Sequence, residues 1–156
     1  MLALRTYRIT ALEASFQKRS GQMYQGMKRR AKKVYVSLPF TLAEFREWLR
    51  DKFDVNGVAR CEYSNELIAV ENFSVDHRHP VSRSGSFDLL NLAICTEKHN
   101  LRKGNMTGRE YEFFMTHVIG FYPPEVQAAI WRKLEVGDVQ RFSHFRRQRK
   151  AKQGAV

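Results

Sequence analysis

Apolar and polar positions change their period several times along this 156-residue chain. From about residue 4 to 32, long unbranched side chains prevail and no proline intervenes. That pattern predicts a helix, with a break or kink at Ser20-Gly21. Val34-Tyr35-Val36 then reads as a brief extended, strand-like stretch. Thr41 and Glu44 have the Thr-x-x-Glu spacing of a capping box. Leu42, Phe45, Trp48, Leu49 and Phe53 follow at helical spacing, so residues 42 to 53 read as an amphipathic helix. Asn56-Gly57 marks a turn.

Past the middle of the chain the period shortens. Phe73 to His77 reads as a strand, Pro80 to Asp88 as a long Ser- and Gly-rich loop, and Leu92 to Cys95 as a second short strand. Thr96 can cap a helix reaching about Arg102. Thr107 and Glu110 repeat the capping-box spacing, with Tyr111, Phe114, Met115 and Val118 along one side of the helix they open. Pro123-Pro124 starts another helix, whose stripe is Val126, Ile130, Trp131 and Leu134, and Gly137 can end it. These aromatic and Met stripes read as core rather than as platforms for stacking bases. The expected fold class is α+β, a hairpin and helix embedded in a mainly helical single domain. Its expected parts are a basic helical region over 1–57, a core over 58–112, and C-terminal helices with a basic tail over 113–156. The length suits one domain with a modest core.

Charge narrows the choice of partner. Lys and Arg total 27 against 16 acidic residues, a formal net charge of +11 and a pI near 10. Such a field favours polyanions without choosing among DNA, RNA and an anionic membrane. It is also uneven. Residues 1–36 carry nine basic residues (Arg5, Arg8, Lys18, Arg19, Lys28, Arg29, Arg30, Lys32, Lys33) and one acid, Glu13. The tail from Arg141 carries six basic residues and no acid, while the stretch between is nearly balanced. Basic arms around a neutral centre would grip phosphates, and such binding weakens steeply with salt. The competing reading of each run is a solvated face. Two cysteines make no disulfide framework, and no signal peptide or apolar run of membrane-spanning length is read, so a cytoplasmic protein without membrane contact is expected.

The candidate chemistry lies in Val75-Asp76-His77-Arg78-His79-Pro80, followed by Asn91 and Asn100-Leu101-Arg102-Lys103-Gly104. Carboxylate and amide oxygens are hard ligands that suit Mg²⁺ or Mn²⁺. A neutral imidazole beside such an ion can take a proton from an attacking water. Asp76-His77, Pro80, Ser82-Arg83-Ser84-Gly85, Asn91-Leu92, Cys95, His99-Asn100 and Lys103-Gly104 together resemble the HNH endonuclease family, the ββα-metal or His-Me finger nucleases. The resemblance covers about residues 58 to 112. It implies a single-metal DNA endonuclease that leaves 5′ phosphate and 3′ hydroxyl ends. In that reading Asp76 and Asn100 hold the ion, His77 is the general base, and Asn91 braces the loop that orients His77. Lys103, Arg102, Arg83 and His79 would meet phosphate, although His79 reads more readily as an exposed loop histidine. Adjacent strand residues point to opposite faces, so Asp76 and His77 need a bulge or a strand end to share a site.

Many relatives in that family carry two Cys-x-x-Cys pairs that bind structural zinc. Here Cys61 is followed by Ser64 in place of a second cysteine, and Cys95 by His99 at a spacing one residue longer. Cys61, Cys95 and His99 therefore offer three ligands and lack a fourth, and the alternative is two buried cysteines with no metal. The competing functional class is a non-catalytic nucleic-acid-binding protein that retains a nuclease fold. One such site cuts one strand, so cleavage of both strands of double-stranded DNA would call for a homodimer or sequential attack. No reader of DNA sequence stands out, and the small basic chain suits a phage, mobile-element or restriction setting.

Overall fold

A computed structural model of the chain describes residues 2–136, with side chains from residue 11 onward. A single helix, α1 (Leu2–Lys33), runs through Ser20-Gly21 without the expected break. The reason lies in the Ser20 hydroxyl, which donates to Gln17 O at 3.1 Å and accepts from Arg46 Nε at 3.1 Å. Arg46 Nη2 also donates to Gln17 O at 3.2 Å, so one arginine ties the weak point to the next helix. Val34-Tyr35-Val36 is not a strand but the turn that closes α1. The Val34 and Val36 amides both return to Ala31 O, at 3.0 and 3.1 Å. Tyr35 takes the left-handed conformation (φ +62°) that usually falls to glycine at a helix end.

The second helix, α2 (Leu42–Arg50), opens on the capping box read from the sequence: the Glu44 amide donates to Thr41 Oγ1 and the Thr41 amide to the Glu44 carboxylate. A cap of this kind contributes about 1 kcal/mol. The helix stops at Arg50 rather than Phe53, because the amides of Asp51, Lys52 and Phe53 fold back on Glu47, Leu49 and Arg50 in a closing turn. Phe45 and Leu49 are fully buried, and the Phe45 ring stacks on Phe40 and Trp48 with centroids 5.9 and 5.8 Å apart.

Two antiparallel hairpins complete this part of the chain. The first, β1 (Val58–Arg60) with β2 (Leu67–Ala69), was not legible in sequence, since three-residue strands are too short to show alternation. The second, β3 (Phe73–His77) with β4 (Leu92–Thr96), pairs in regular register from Phe73↔Thr96 to His77↔Leu92. The Glu62 amide donates to Ile94 O at 2.9 Å and links the two hairpins. Phe73 and Leu92 join Met27, Phe45 and Ile68 in the common core. Each side chain of that size contributes roughly 1.5–3 kcal/mol when fully buried. Helix α3 (Glu97–Lys103) follows β4 directly, its His99 amide donating to Thr96 Oγ1 at 3.2 Å. Gly104, at φ +51°, closes it.

The described residues divide into two compact units, one up to Asn100 and one from Leu101, and the division falls within α3. In the second unit, α4 (Gly108–His117) starts at the capping box of Thr107 and Glu110. A final helix, α5, covers residues 124–136. Trp131 is buried edge-on against Tyr111 and Phe114, at 6.4 and 5.6 Å. Ile130 and Leu134 are half-buried, and Val126 is exposed. Gly137 and the basic tail lie outside the described residues. The fold class is α+β with helix in excess, and no helix among the described residues is long and apolar enough to cross a membrane.

Candidate active site

The hairpin β3–β4 and the start of α3 bring three polar residues onto one strand face. Ser74 and Asp76 are two apart on β3, so they leave the same side. From α3, Asn100 Nδ2 donates to Ser74 Oγ at 2.9 Å, which holds its amide over that side. The amide nitrogen is committed to Ser74, and the hard oxygen is the atom of Asn100 suited to a cation. Asp76 is buried, and its Oδ2 accepts a hydrogen bond from the Tyr63 hydroxyl at 2.5 Å. Burial pushes the Tyr63 phenol well above its ordinary range, and the negative charge of Asp76 pushes it further. The proton therefore stays on the phenol and the bond runs from tyrosine to carboxylate. Tyr63 had no signal in the sequence: it reaches Asp76 only because the β1–β2 hairpin folds against β4.

His77 is the last residue of β3 and is 7% exposed. The strand carries no bulge, since His77 pairs with Leu92 and Asp76 with Ala93 in unbroken register. Asp76 and His77 consequently leave opposite sides of the strand, and the second condition, the strand end, is the one His77 meets. Its ring packs edge-on against Phe87, at 5.0 Å between centroids. No hydrogen bond to its Nε2 is seen among the described residues, while other contacts engage the residue.

Asn91 fixes the chain just beyond. Its Oδ1 accepts from the His79 amide at 2.8 Å, and its Nδ2 donates to His79 O at 2.9 Å and to Ser86 O at 2.7 Å. The Arg78 amide adds a bond to Asn91 O at 2.7 Å. One side chain thus clamps both ends of the loop from Pro80 to Asp88. Gly85 makes that loop possible. A Cβ there would lie 2.6 Å from the His79 carbonyl carbon and 2.8 Å from Pro80 O, with the His79 oxygen closer still. Ser84 beside it is left-handed, at φ +69°. Arg78 pairs with Glu62 through two nitrogens, which raises the arginine pKa further.

The expected phosphate contacts separate into two groups. Arg83 and His79 are exposed on the loop, with His79 Nε2 2.8 Å from Arg83 O. Arg102 is instead committed within its own unit: Nε donates to Glu135 Oε1 at 2.7 Å and the guanidinium lies 4.5 Å from the Trp131 ring centre. Lys103 is fully buried. Neither side chain stands at the surface where a phosphate would meet it. Spacing alone cannot reveal this, because both occupy the last turn of α3, where burial is decided by tertiary packing.

The zinc set is not assembled. Among the described residues no three His, Cys, Asp or Glu side chains are grouped to hold a metal. Cys61 and Cys95 are buried in the hydrophobic core and are not joined by a disulfide. His99 turns its Nε2 toward Glu66 Oε2, at 3.6 Å. The Asp76–Asn100 pair is a different kind of donor set. Mg²⁺ typically takes one or two protein oxygens and completes its shell with water and phosphate, so a carboxylate and an amide oxygen above one strand face fit it. No family model, characterised protein or solved structure matches the chain.

Proposed function

We propose that the chain is a divalent-metal-dependent DNA endonuclease of the HNH type, built on β3, β4 and α3. The observation that supports it most is the Asn100–Ser74 hydrogen bond, which holds an amide from the helix above the strand face that carries Asp76. In this reading Asp76 and Asn100 would hold one Mg²⁺ or Mn²⁺. When bound, that ion would supply charge to offset the phosphorane-like transition state and the departing oxygen. Tyr63 keeps the Asp76 carboxylate oriented. His77, at the strand end beneath the loop held by Asn91, accepts a proton from water. The water oxygen bonds to phosphorus as the bond to the 3′ oxygen breaks, and that oxygen takes a proton from solvent, leaving 5′ phosphate and 3′ hydroxyl ends. Arg83 and His79 line the loop where a phosphate backbone would pass. DNA access and two reduced cysteines suit a cytoplasmic setting, and cleavage of both strands would call on a second copy of the chain.

One observation favours a second reading, a nucleic-acid-binding protein without catalysis: the regular register of β3 sends His77 to the side away from Asp76. Plasmid nicking in Mg²⁺ separates the two. The nuclease reading expects wild type to relax supercoiled DNA, and His77→Ala to lose cutting while keeping DNA affinity. It is overturned if wild type leaves the plasmid supercoiled, or if His77→Ala cuts as fast as wild type.

A further inference from the structure

Tyr35, in the turn that closes α1, is 97% exposed and so gains almost nothing from packing. It also sits at φ +62°, where a bulky side chain is strained and glycine is the usual residue. Neither burial nor backbone preference accounts for a tyrosine here. What its ring offers is a bare aromatic face in water.

The setting of that ring is cationic. No acidic residue falls between Glu13 and Glu44 in sequence, while Lys28, Arg29, Lys32 and Lys33 crowd the last turns of α1. All four are exposed, and no side-chain hydrogen bond or ion pair engages them among the described residues. Four residues make about 6 Å of helix, so Lys28 and Lys32 are neighbours on one bearing and Arg29 and Lys33 on the next. Like charges so placed repel each other. The helix dipole favours cations at this end, but it asks for no aromatic beside them. Lys28 and Lys32 border, with Tyr35, Tyr24 and Leu38, a hollow of about 500 Å³, a volume within the range that small ligands occupy. Tyr24 is fixed in its wall: the hydroxyl donates to Phe40 O at 3.3 Å and the ring lies 6.1 Å from that of Phe40. The hollow thus joins a held wall, two ammonium groups and an exposed aromatic face.

We propose that this end of α1 binds an unpaired stretch of a DNA strand, with a base stacked on Tyr35 and the flanking phosphates held by Lys28 and Lys32. In a duplex each base hides both faces against its neighbours, so only an unpaired base can lie on the ring. A membrane-docking face calls for a broad apolar stripe, whereas Val34 and Val36 beside Tyr35 are about half covered. Naming DNA rests on the nuclease reading, and gives that nuclease a substrate with a single-stranded segment, such as an overhang or a flap.

The test is fluorescence anisotropy of the full chain with a labelled single strand, its duplex and an abasic strand of equal length, in EDTA so that no strand is cut. Tyr35→Ala is expected to lower single-strand affinity by about 5- to 100-fold, while duplex and abasic-strand affinities stay within about twofold. Tyr35→Trp should keep or tighten single-strand binding. Tyr35→Gly should lose it, yet melt at or above the wild-type temperature because the strained φ is relieved, which separates loss of binding from loss of folding. Lys28→Ala with Lys32→Ala should reduce the log–log salt slope of single-strand binding by about 1.4. A Tyr35→Ala protein that binds the single strand within about twofold of wild type overturns the inference, and so does one that loses the duplex or the abasic strand equally. Vesicles containing phosphatidylserine form the last arm. If Tyr35→Ala releases the chain from them but keeps its single-strand affinity, the surface belongs to a membrane and the inference falls. None of these outcomes bears on cutting, which plasmid nicking in Mg²⁺ decides separately.

Discussion

Gly85→Ala tests how the loop beside His77 is built. The new methyl would fall 2.6 Å from the His79 carbonyl carbon, where side-chain Cβ atoms essentially never come within 3.0 Å of a neighbour. The obstacle is backbone, the His79 carbonyl oxygen nearest of all, so no rotamer change relieves it, and residues 79–80 or 85 must move by about an ångström. Two hydrogen bonds depend on that approach: Gly85 N–H to Pro80 O and Asn91 Nδ2 to His79 O, each 2.9 Å. At about 1 kcal/mol each, their loss with the added strain comes to about 2–4 kcal/mol. For a chain of this size that lowers Tm by about 5–15 °C. Thermal unfolding followed by circular dichroism measures it. Nicking should fall by about 100-fold, because displacement of the His79 backbone is transmitted to His77 two residues away. A Gly85→Ala protein that melts within about 1 °C of wild type and cuts normally refutes the close-packed loop, since a 2 kcal/mol loss could not hide in that interval.

Tyr63→Phe removes a charge-assisted hydrogen bond to a buried carboxylate, so stability should fall by about 1.5–3 kcal/mol and Mn²⁺ affinity by about 10–100-fold, read by urea unfolding and metal titration. Asn91→Ala removes the loop clamp, and backbone amide exchange at residues 79–86 should accelerate while β1–β2 stays protected. Arg102→Ala should destabilise the second unit through loss of the Glu135 pair and the Trp131 contact, yet leave DNA affinity in a filter-binding assay unchanged. Acid should destabilise the first unit. Its hydrogen bonds from Arg50 and Gln17 hold Glu13 below its ordinary 4.5, the Thr41 amide and hydroxyl hold Glu44 below 4.5, and chiefly the Val58 amide holds Asp54 below 3.8. Depressed carboxylates contribute stability that is complete above those ordinary values and lost as pH falls through the folded ones. Chemical denaturation should therefore be flat from pH 7 to about 5 and weaken below about 4.

The parts of the fold governed by local rules were legible in the sequence. Both capping boxes are formed, and β3 and β4 lie where the apolar runs placed them, because those signals depend on neighbours within a few residues. The break expected at Ser20-Gly21 is absent because what ties that point down comes from Arg46, 26 residues away. Tyr35 was misread as extended because a β-type composition does not reveal a left-handed helix end. Around the site, Asp76, His77, Asn91 and Asn100 stand out by order and spacing. Tyr63 does not, since only the packing of one element on another carries it to Asp76. Lys103 shows the converse, a cation that spacing assigns to phosphate and packing buries.

The central claim is that Asp76 and Asn100 hold one divalent ion between strand and helix. A crystal soaked in Mn²⁺ and measured at the manganese absorption edge tests it most directly. The account predicts an anomalous peak within about 2.5 Å of a carboxylate oxygen of Asp76 and of the amide oxygen of Asn100. A map with manganese bound elsewhere, or with those two oxygens too far apart to share it, contradicts the account.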